Sequence, residues 1–224
     1  MSLQAKLDAF KAEFEAGKPP YNVPPSVIEI MHRATDELIA SGAAGRALKA
    51  GDQAPTFVLK DQDGGEVSSA ERLAKGPLAV SFYRGAWCPY CNMELQALQA
   101  ALPDIQAAGA GLVAISPQTP VNSRKSVRQN GLGFPILSDP HNTVAAAFGL
   151  RFALPDDLVD LYKSLKNDLP AFNGDPSWTL PMPARYVIAP DGTILYAEVN
   201  PDYTRRPEPR DMLPAIRAAT AVRA

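Results

Sequence analysis

The chain has 224 residues, 46% of them hydrophobic, and a formal net charge of -2. That length suffices for one well-packed domain with an appendage, and the near-neutral balance, with no Lys/Arg run, argues against a nucleic-acid partner. The opening residues mix charged and apolar side chains without a secretory core, and apolar stretches such as 77–83 are too short to span a bilayer. A soluble cytoplasmic protein with no membrane partner is expected.

In chain order, Leu3, Leu7, Phe10 and Phe14 recur at helical spacing and predict one apolar helix face. The proline-rich run 18–25 ends that helix. A second helix is expected from Ser26, with Ser26 and Glu29 at capping-box spacing and Gly42 as its C-cap. Residues 1–49 therefore read as an N-terminal helical extension. Its apolar face either packs on the main domain or makes a homodimer contact.

From 50 to 224 the pattern changes. A strand at 57–59 leads into a turn, and 78–83 is a buried strand by its continuous apolar character. A helix follows Cys88, free of Gly and Pro between Pro89 and Pro103. Then come a strand at 111–116, a polar helix near 121–129, a short strand at 134–138 and a short helix at 142–148. Residues 151–180 do not fit this alternation. They read as an insertion, a candidate lid, with a helical piece at 155–166 and a loop at 168–178. A hairpin on Pro190-Asp191-Gly192 spans 186–196, and a closing helix covers about 208–222. Strands alternating with helices imply an α/β domain with a mixed central sheet.

The two cysteines, Cys88 and Cys91, flank Pro89 and Tyr90. Two cysteines at this spacing, without an export signal, read as a redox or metal pair rather than a staple. Cys88 follows a predicted strand and opens a predicted helix. Unpaired N–H groups and the helix dipole there favour thiolate, and Pro89 suits the first helical turn. Cys91 lies nearly one turn on, within reach of Cys88. Cys88 is expected to be the exposed attacking sulfur and Cys91 the more buried resolving one; two structural thiols are the bland alternative. Zinc would need two further Cys or His ligands, and the chain has only His32 and His141. A copper-type site on Cys88, Cys91 and His141 is the other metal arrangement, and no metal is assigned. Gly131-Leu132-Gly133 is a turn rather than a phosphate loop, so no nucleotide or other cofactor is assigned.

Three stretches carry a family resemblance. Gly51-Asp52-Gln53-Ala54-Pro55-Thr56-Phe57-Val58-Leu59 looks like the opening strand motif of peroxiredoxins. Phe82-Tyr83-Arg84-Gly85-Ala86-Trp87-Cys88-Pro89-Tyr90-Cys91 is similar to the active-site segment of thioredoxin-fold proteins, and its CPYC matches the glutaredoxin dipeptide. Leu180-Pro181-Met182-Pro183-Ala184-Arg185-Tyr186 resembles the strand entry that carries the cis-proline of thioredoxin-like proteins. Together, about residues 50 to 220 resemble the alkyl hydroperoxide reductase C/thiol-specific antioxidant family, in a peroxiredoxin-like branch with a C-x-x-C.

The resemblance implies a thioredoxin-like, peroxiredoxin-type fold. It implies a thiol-dependent peroxidase in which Cys88 matches the peroxidatic cysteine and Cys91 the second thiol. The substrate would be a hydroperoxide, and thioredoxin, glutaredoxin or glutathione the reductant. A thiol-disulfide oxidoreductase acting on disulfides is the alternative; a redox-sensing or metal-delivery protein is a third. Pro183 matches the cis-proline facing the dithiol, Trp87 the tryptophan covering the sulfur, and Tyr90 a residue tuning its potential. The family's usual Thr and Pro before the nucleophile are Gly85 and Ser81 here. The family arginine falls on Pro183, leaving Arg84 or Arg185 to stabilise the thiolate and a departing oxygen. The segment Asp202-Tyr203-Thr204-Arg205-Arg206 is polar enough to line a pocket.

Overall fold

The computed structural model describes residues 1–221. In chain order its strands are β1 (Val58–Asp61), β2 (Glu66–Ser68), β3 (Leu78–Phe82), β4 (Gly111–Ser116), β5 (Ile136–Ser138), β6 (Arg151–Ala153), β7 (Thr179–Pro181), β8 (Ala184–Ile188) and β9 (Ile194–Val199), and its α-helices are α1 (Leu3–Glu15), α2 (Pro25–Ala40), α3 (Ser69–Leu73), α4 (Pro89–Ala107), α5 (Pro120–Asn130), α6 (Thr143–Ala147), α7 (Asp156–Ser164), α8 (Leu169–Asn173) and α9 (Leu213–Ala221). Among the described residues, seven of these form one sheet in the order β2-β1-β5-β4-β3-β8-β9, and β6 pairs with β7 in a separate ribbon. The central pairs β3–β4 and β4–β5 are parallel, whereas β8, β9, β1 and β2 join antiparallel. The sheet is thus mixed, as the alternation of elements predicts.

Burial explains why β3 reads as a continuous apolar run: all five of its residues are buried. Leu78, Val80 and Phe82 face one core with Val113, Ile115, Leu137 and Tyr186. Ala79 faces the other with Leu112, Ala114, Ile136 and Val187. This is the two-residue period of a strand covered on both faces. The second core is closed by α4 (Pro89–Ala107), through Leu95, Leu98 and Ile105, and by α9 (Leu213–Ala221), through Ile216. Helix α4 continues past Pro103, because Leu102 and Ile105 on either side of it are held in that core.

The structure corrects several local expectations. The arm helices are α1 (Leu3–Glu15) and α2 (Pro25–Ala40). Helix α2 begins one residue early, on Pro25, with no side-chain cap. The Ser26–Glu29 capping box is not formed, because Pro25 takes the first helical position and Ser26 lies inside the helix. Gly42 does adopt the left-handed conformation just beyond it, at φ +66°. The turn after β1 closes a hairpin with β2, with Asp61 Oδ1 accepting from the Asp63 and Gly65 N–H groups. In the insertion, α7 (Asp156–Ser164) is followed by α8 (Leu169–Asn173) where a loop is expected; Asp168 caps α8 by accepting from Ala171 N–H. The closing helix splits into a 3-10 turn at Pro209–Met212 and α9, and Val222 lies outside the described residues. No helix among the described residues is long and apolar enough to cross a membrane.

The arm is seated in the core rather than appended to it. Leu3 and Leu7 are 4% and 0% exposed and join the α4 cluster. The Leu3 N–H donates to Glu208, Gln4 donates to the Thr204 carbonyl, and the Arg206 N–H donates to Gln4 Oε1. Helix α2 packs on α7, with Ala34 among Leu158, Val159 and Leu161 and an Arg33–Asp157 ion pair at the edge. Leu3, Leu7 and Ala34 are therefore used within the chain. Replacing Leu7 by Ala should cost about 2–5 kcal/mol, read as a lower urea midpoint at unchanged slope. A loss below about 0.5 kcal/mol would mean that the arm is not part of the core.

Candidate active site

Strand β3 delivers the chain to a loop, 83–88, that leads into α4. Gln118, beyond β4, holds this loop. Its Oε1 accepts from the Ala86 N–H at 2.9 Å, and its amide donates to the Tyr83 hydroxyl at 2.6 Å. Asn92 of α4 donates to the Ala86 carbonyl at 2.8 Å. Cys88 is the N-cap residue of α4, in extended conformation at φ -93° and ψ 113°, and Pro89 occupies the first turn. Cys91 follows in the first turn of α4, three residues on. Both thiols are free and buried.

Cys88 is only 1% exposed, which corrects its expected exposure. The cause is the arm and the insertion. A cavity of about 400 Å³ lies over Cys88, Pro89 and Tyr90, walled by Phe10 and Phe14 of α1, Ile28 and Met31 of α2, and Tyr162 of α7. The sulfur lies at the base of this cavity, whose mouth opens to solvent.

Arg84 borders the same cavity. It is 3% exposed, and one Nη donates to the Tyr162 hydroxyl at 2.6 Å. Its guanidinium lies 4.8 Å from the Trp87 ring centre and 4.2 Å from that of Tyr203. Its Nε has no partner, and it forms no ion pair with a carboxylate among the described residues. The remaining charge that answers it is a thiolate at Cys88. Burial pushes the Cys88 thiol up, but the Cys91 hydrogen bond and the charges of Arg84 and Arg206 outweigh it and bring it down to about 6. Cys91 moves the other way, well up, through burial and then its bond to the Cys88 sulfur and that sulfur's charge. The pair is thus divided into a thiolate and a thiol.

Arg185 does not reach Cys88. It is 1% exposed and donates to Glu94 Oε1 at 2.8 Å, while Arg206 Nε donates to Glu94 Oε2 at 2.5 Å. Arg206 also lies 3.8 Å from the Cys91 sulfur. This buried triad stands under the second thiol, and Arg84 alone of the two candidate arginines faces the first. Pro183 is also displaced from the expected role. The cis peptide found among the described residues is Pro19–Pro20, so the Met182–Pro183 bond is trans. The Met182 N–H donates to the Leu150 carbonyl and the Pro183 carbonyl accepts from Asn200, which draws the segment along a strand path. Pro183 lines an adjoining cavity of about 380 Å³ that shares Arg84, Tyr162 and Tyr203 with the first.

Trp87 stacks edge-on against Tyr162 at 5.6 Å and fixes the position of Gly85. Gly85 has φ +151°, and a Cβ there would sit 2.5 Å from Trp87 Nε1. The absent threonine thus has a physical reason: the tryptophan fills its place. Tyr90 is 6% exposed, held edge-on by Phe10 at 5.1 Å and Tyr203 at 5.5 Å, so it is packed under the arm rather than displayed on the surface. His141 is not brought to the cysteines; it pairs with Asp175. Among the described residues, no cluster of three His, Cys, Asp or Glu side chains is suited to a metal.

Tyr162, Glu94 and Gln118 are site residues that sequence reasoning misses. The segment 202–206 does line the site, with Tyr203 on Arg84 and Arg206 under Cys91. Tyr162 carries one legible signal, its place on the apolar face of α7 beside Leu158, Val159 and Leu161. In reduced protein, alkylation of Cys88 by a small haloacetamide should follow thiolate formation with a midpoint near pH 6, falling away below it. A midpoint near the ordinary thiol value of about 8.5 would contradict the assigned electrostatics.

The model of the AhpC/TSA family matches residues 50–197. A putative peroxiredoxin of Mycobacterium tuberculosis, Rv2521, is 38% identical over 102 residues, covering 46% of this chain and 64% of that protein. Peroxiredoxin Bcp of Escherichia coli is 34% identical over 103 residues, covering 46% and 65%. Thiol-disulfide oxidoreductase ResA of Halalkalibacterium halodurans is 32% identical over 110 residues, covering 48% and 61%. The matches thus span under two thirds of these relatives. Among solved structures, peroxidoxin BcpB of Mycobacterium tuberculosis superimposes with a TM-score of 0.61 at 23% identity, over 79% of this chain and 99% of that one. A yeast mitochondrial 1-Cys peroxiredoxin gives 0.60 at 18% identity, over 79% and 78%. The fold is therefore the peroxiredoxin type of the thioredoxin fold, and the chain belongs to the AhpC/TSA family.

Proposed function

We propose that the protein is a thiol-dependent peroxidase that works through a Cys88–Cys91 disulfide. The observation that carries this reading is the setting of the pair: Cys88 lines one cavity with Arg84, which has no carboxylate partner among the described residues, and Cys91 stands one turn on beside Arg206. The Cys88 thiolate attacks the outer oxygen of a hydroperoxide, forming an S–O bond; the O–O bond breaks, and the alkoxide takes a proton from water to leave as alcohol. Cys88 is then a sulfenic acid. Cys91 attacks that sulfur, the S–O bond breaks, and the hydroxide takes the Cys91 proton to leave as water. Arg84 supplies positive charge to the departing oxygen. Two equivalents of an external thiol restore the dithiol by exchange. This cycle suits the cytoplasm, where thiol reductants are maintained.

A specific observation favours the second reading, a thiol-disulfide oxidoreductase. Trp87 occupies the space where a threonine hydroxyl would orient peroxide, whereas the dithiol needs no such hydroxyl to exchange with a disulfide.

Stoichiometric hydroperoxide added to the reduced protein separates the two. The expected result is rapid gain of a disulfide, seen by mass as loss of two hydrogens, and trapping of the sulfenic acid on Cys88 in Cys91→Ser. The rate should exceed that of a free thiol at the same thiolate concentration by at least about 100-fold, which is a barrier lower by about 2.7 kcal/mol. Oxidation no faster than a free thiol, with retained reduction of glutathione disulfide, would transfer the assignment to the second reading.

A further inference from the structure

We propose that the cavity over Cys88 seats a low-molecular-weight thiol that reduces the Cys88–Cys91 disulfide, and that the seated N-terminal arm keeps folded protein donors from Cys88. The inference rests on the disulfide cycle proposed above. Its first support is steric. Cys88 is 1% exposed, and its sulfur lies at the base of a cleft of about 400 Å³ walled by α1, α2 and α7 and open to solvent at its mouth. That volume lies in the range of small-molecule sites. A protein dithiol presents its sulfur from a folded surface, and such a surface meets α1, α2 and α7 before it meets Cys88.

The second support is that the arm is not hung as a loose lid. Leu3 and Leu7 are buried with α4, Gln4 is bonded to both Thr204 and Arg206, and α2 is paired to α7 through Arg33 and Asp157. Lifting it would return two core leucines, Leu3 and Leu7, to water. The third support is charge. In the reduced state the Cys88 thiolate answers Arg84. In the disulfide that negative charge is gone, and Arg84 has no carboxylate partner among the described residues. An incoming thiolate restores the missing charge as it approaches the sulfur it attacks.

The exchange balances as follows. One donor thiolate attacks Cys88; the Cys88–Cys91 bond breaks and Cys91 leaves as thiolate beside Arg206. A second donor thiolate attacks the donor sulfur of the mixed disulfide, releasing donor disulfide and the Cys88 thiolate. The donor is oxidised by two electrons and the protein reduced by two.

The test starts from disulfide made with an azodicarboxamide oxidant, so that no peroxide is involved and failure of the peroxidase step leaves it readable. Reduction is followed for the full chain with glutathione, with dihydrolipoamide, and with thioredoxin kept reduced by its reductase. At least one small thiol should reduce the disulfide with saturation, and at least about tenfold faster than thioredoxin at equal thiol concentration, a difference of about 1.4 kcal/mol. Met31→Trp, which fills the cavity, should weaken that saturation. Phe10→Ala, which loosens the cover over Tyr90, should raise the thioredoxin rate severalfold. Thioredoxin matching the faster small thiol on the wild-type protein would overturn the proposal, as would small-thiol rates that neither saturate nor respond to Met31→Trp.

Discussion

Arg84 is the group around which the site is arranged. A guanidinium at 3% exposure with no carboxylate partner is costly to bury, by several kcal/mol unless its charge is answered. Its own loop and two distant segments answer it in part: Trp87 three residues on, Tyr162 from the insertion and Tyr203 from the loop after β9. None of these carries a negative charge. The Cys88 thiolate completes the set, so the same constraint that tolerates a buried cation also creates the reactive sulfur. One layer below, Glu94 compensates Arg185 and Arg206, and that triad keeps its second positive charge near Cys91. Two arginines therefore serve two sulfurs by different means: one lacks a counter-ion, and the other shares one.

The arm and the insertion bury this electrostatic arrangement at the base of a cleft. Without Phe10, Met31 and Tyr162, Cys88 would open directly on solvent, where Arg84 would act through a high dielectric and count for little. Enclosure strengthens the interaction and also limits what can approach. Gly85 and Trp87 make the same exchange at smaller scale. The indole fills the space of a side chain at Gly85 and places a cation-binding face beside Arg84 instead.

What the sequence makes legible divides by range. Strand β3 and the CPYC helix start are local patterns, and each is where its residues imply; the apolar run from Leu78 covers both cores and Cys88 caps α4. The arm helices are equally local, through the spacing of Leu3 and Leu7. The cavity is not local. Tyr162 meets Arg84 across 78 residues, and Arg206 meets Glu94 across 112, so neither spacing leaves a trace along the chain. Burial of Cys88 escapes for the same reason, since it depends on where the arm docks. The expectation of a cis bond at Pro183 rests on resemblance alone, and the hydrogen bonds of Met182 and Pro183 take that segment another way. The choice between Arg84 and Arg185 stayed open in the sequence because both stand near the motif in position or by strand face. Glu94, on α4, decides it by claiming Arg185.

The pairing of Arg84 with the Cys88 thiolate is measured most directly by a double-mutant cycle on reduced protein, Arg84→Gln against Cys88→Ser, read as unfolding free energy across pH. Because Cys88 titrates near 6 in the folded chain and near the ordinary value of about 8.5 when unfolded, its contribution is fully present above about 8.5 and is lost as pH falls through about 6. A favourable coupling of about 1–3 kcal/mol is expected on the alkaline side of that window and none on the acid side. A coupling that is absent at high pH, or unchanged between the two ends, would contradict the thiolate as the counter-charge of Arg84.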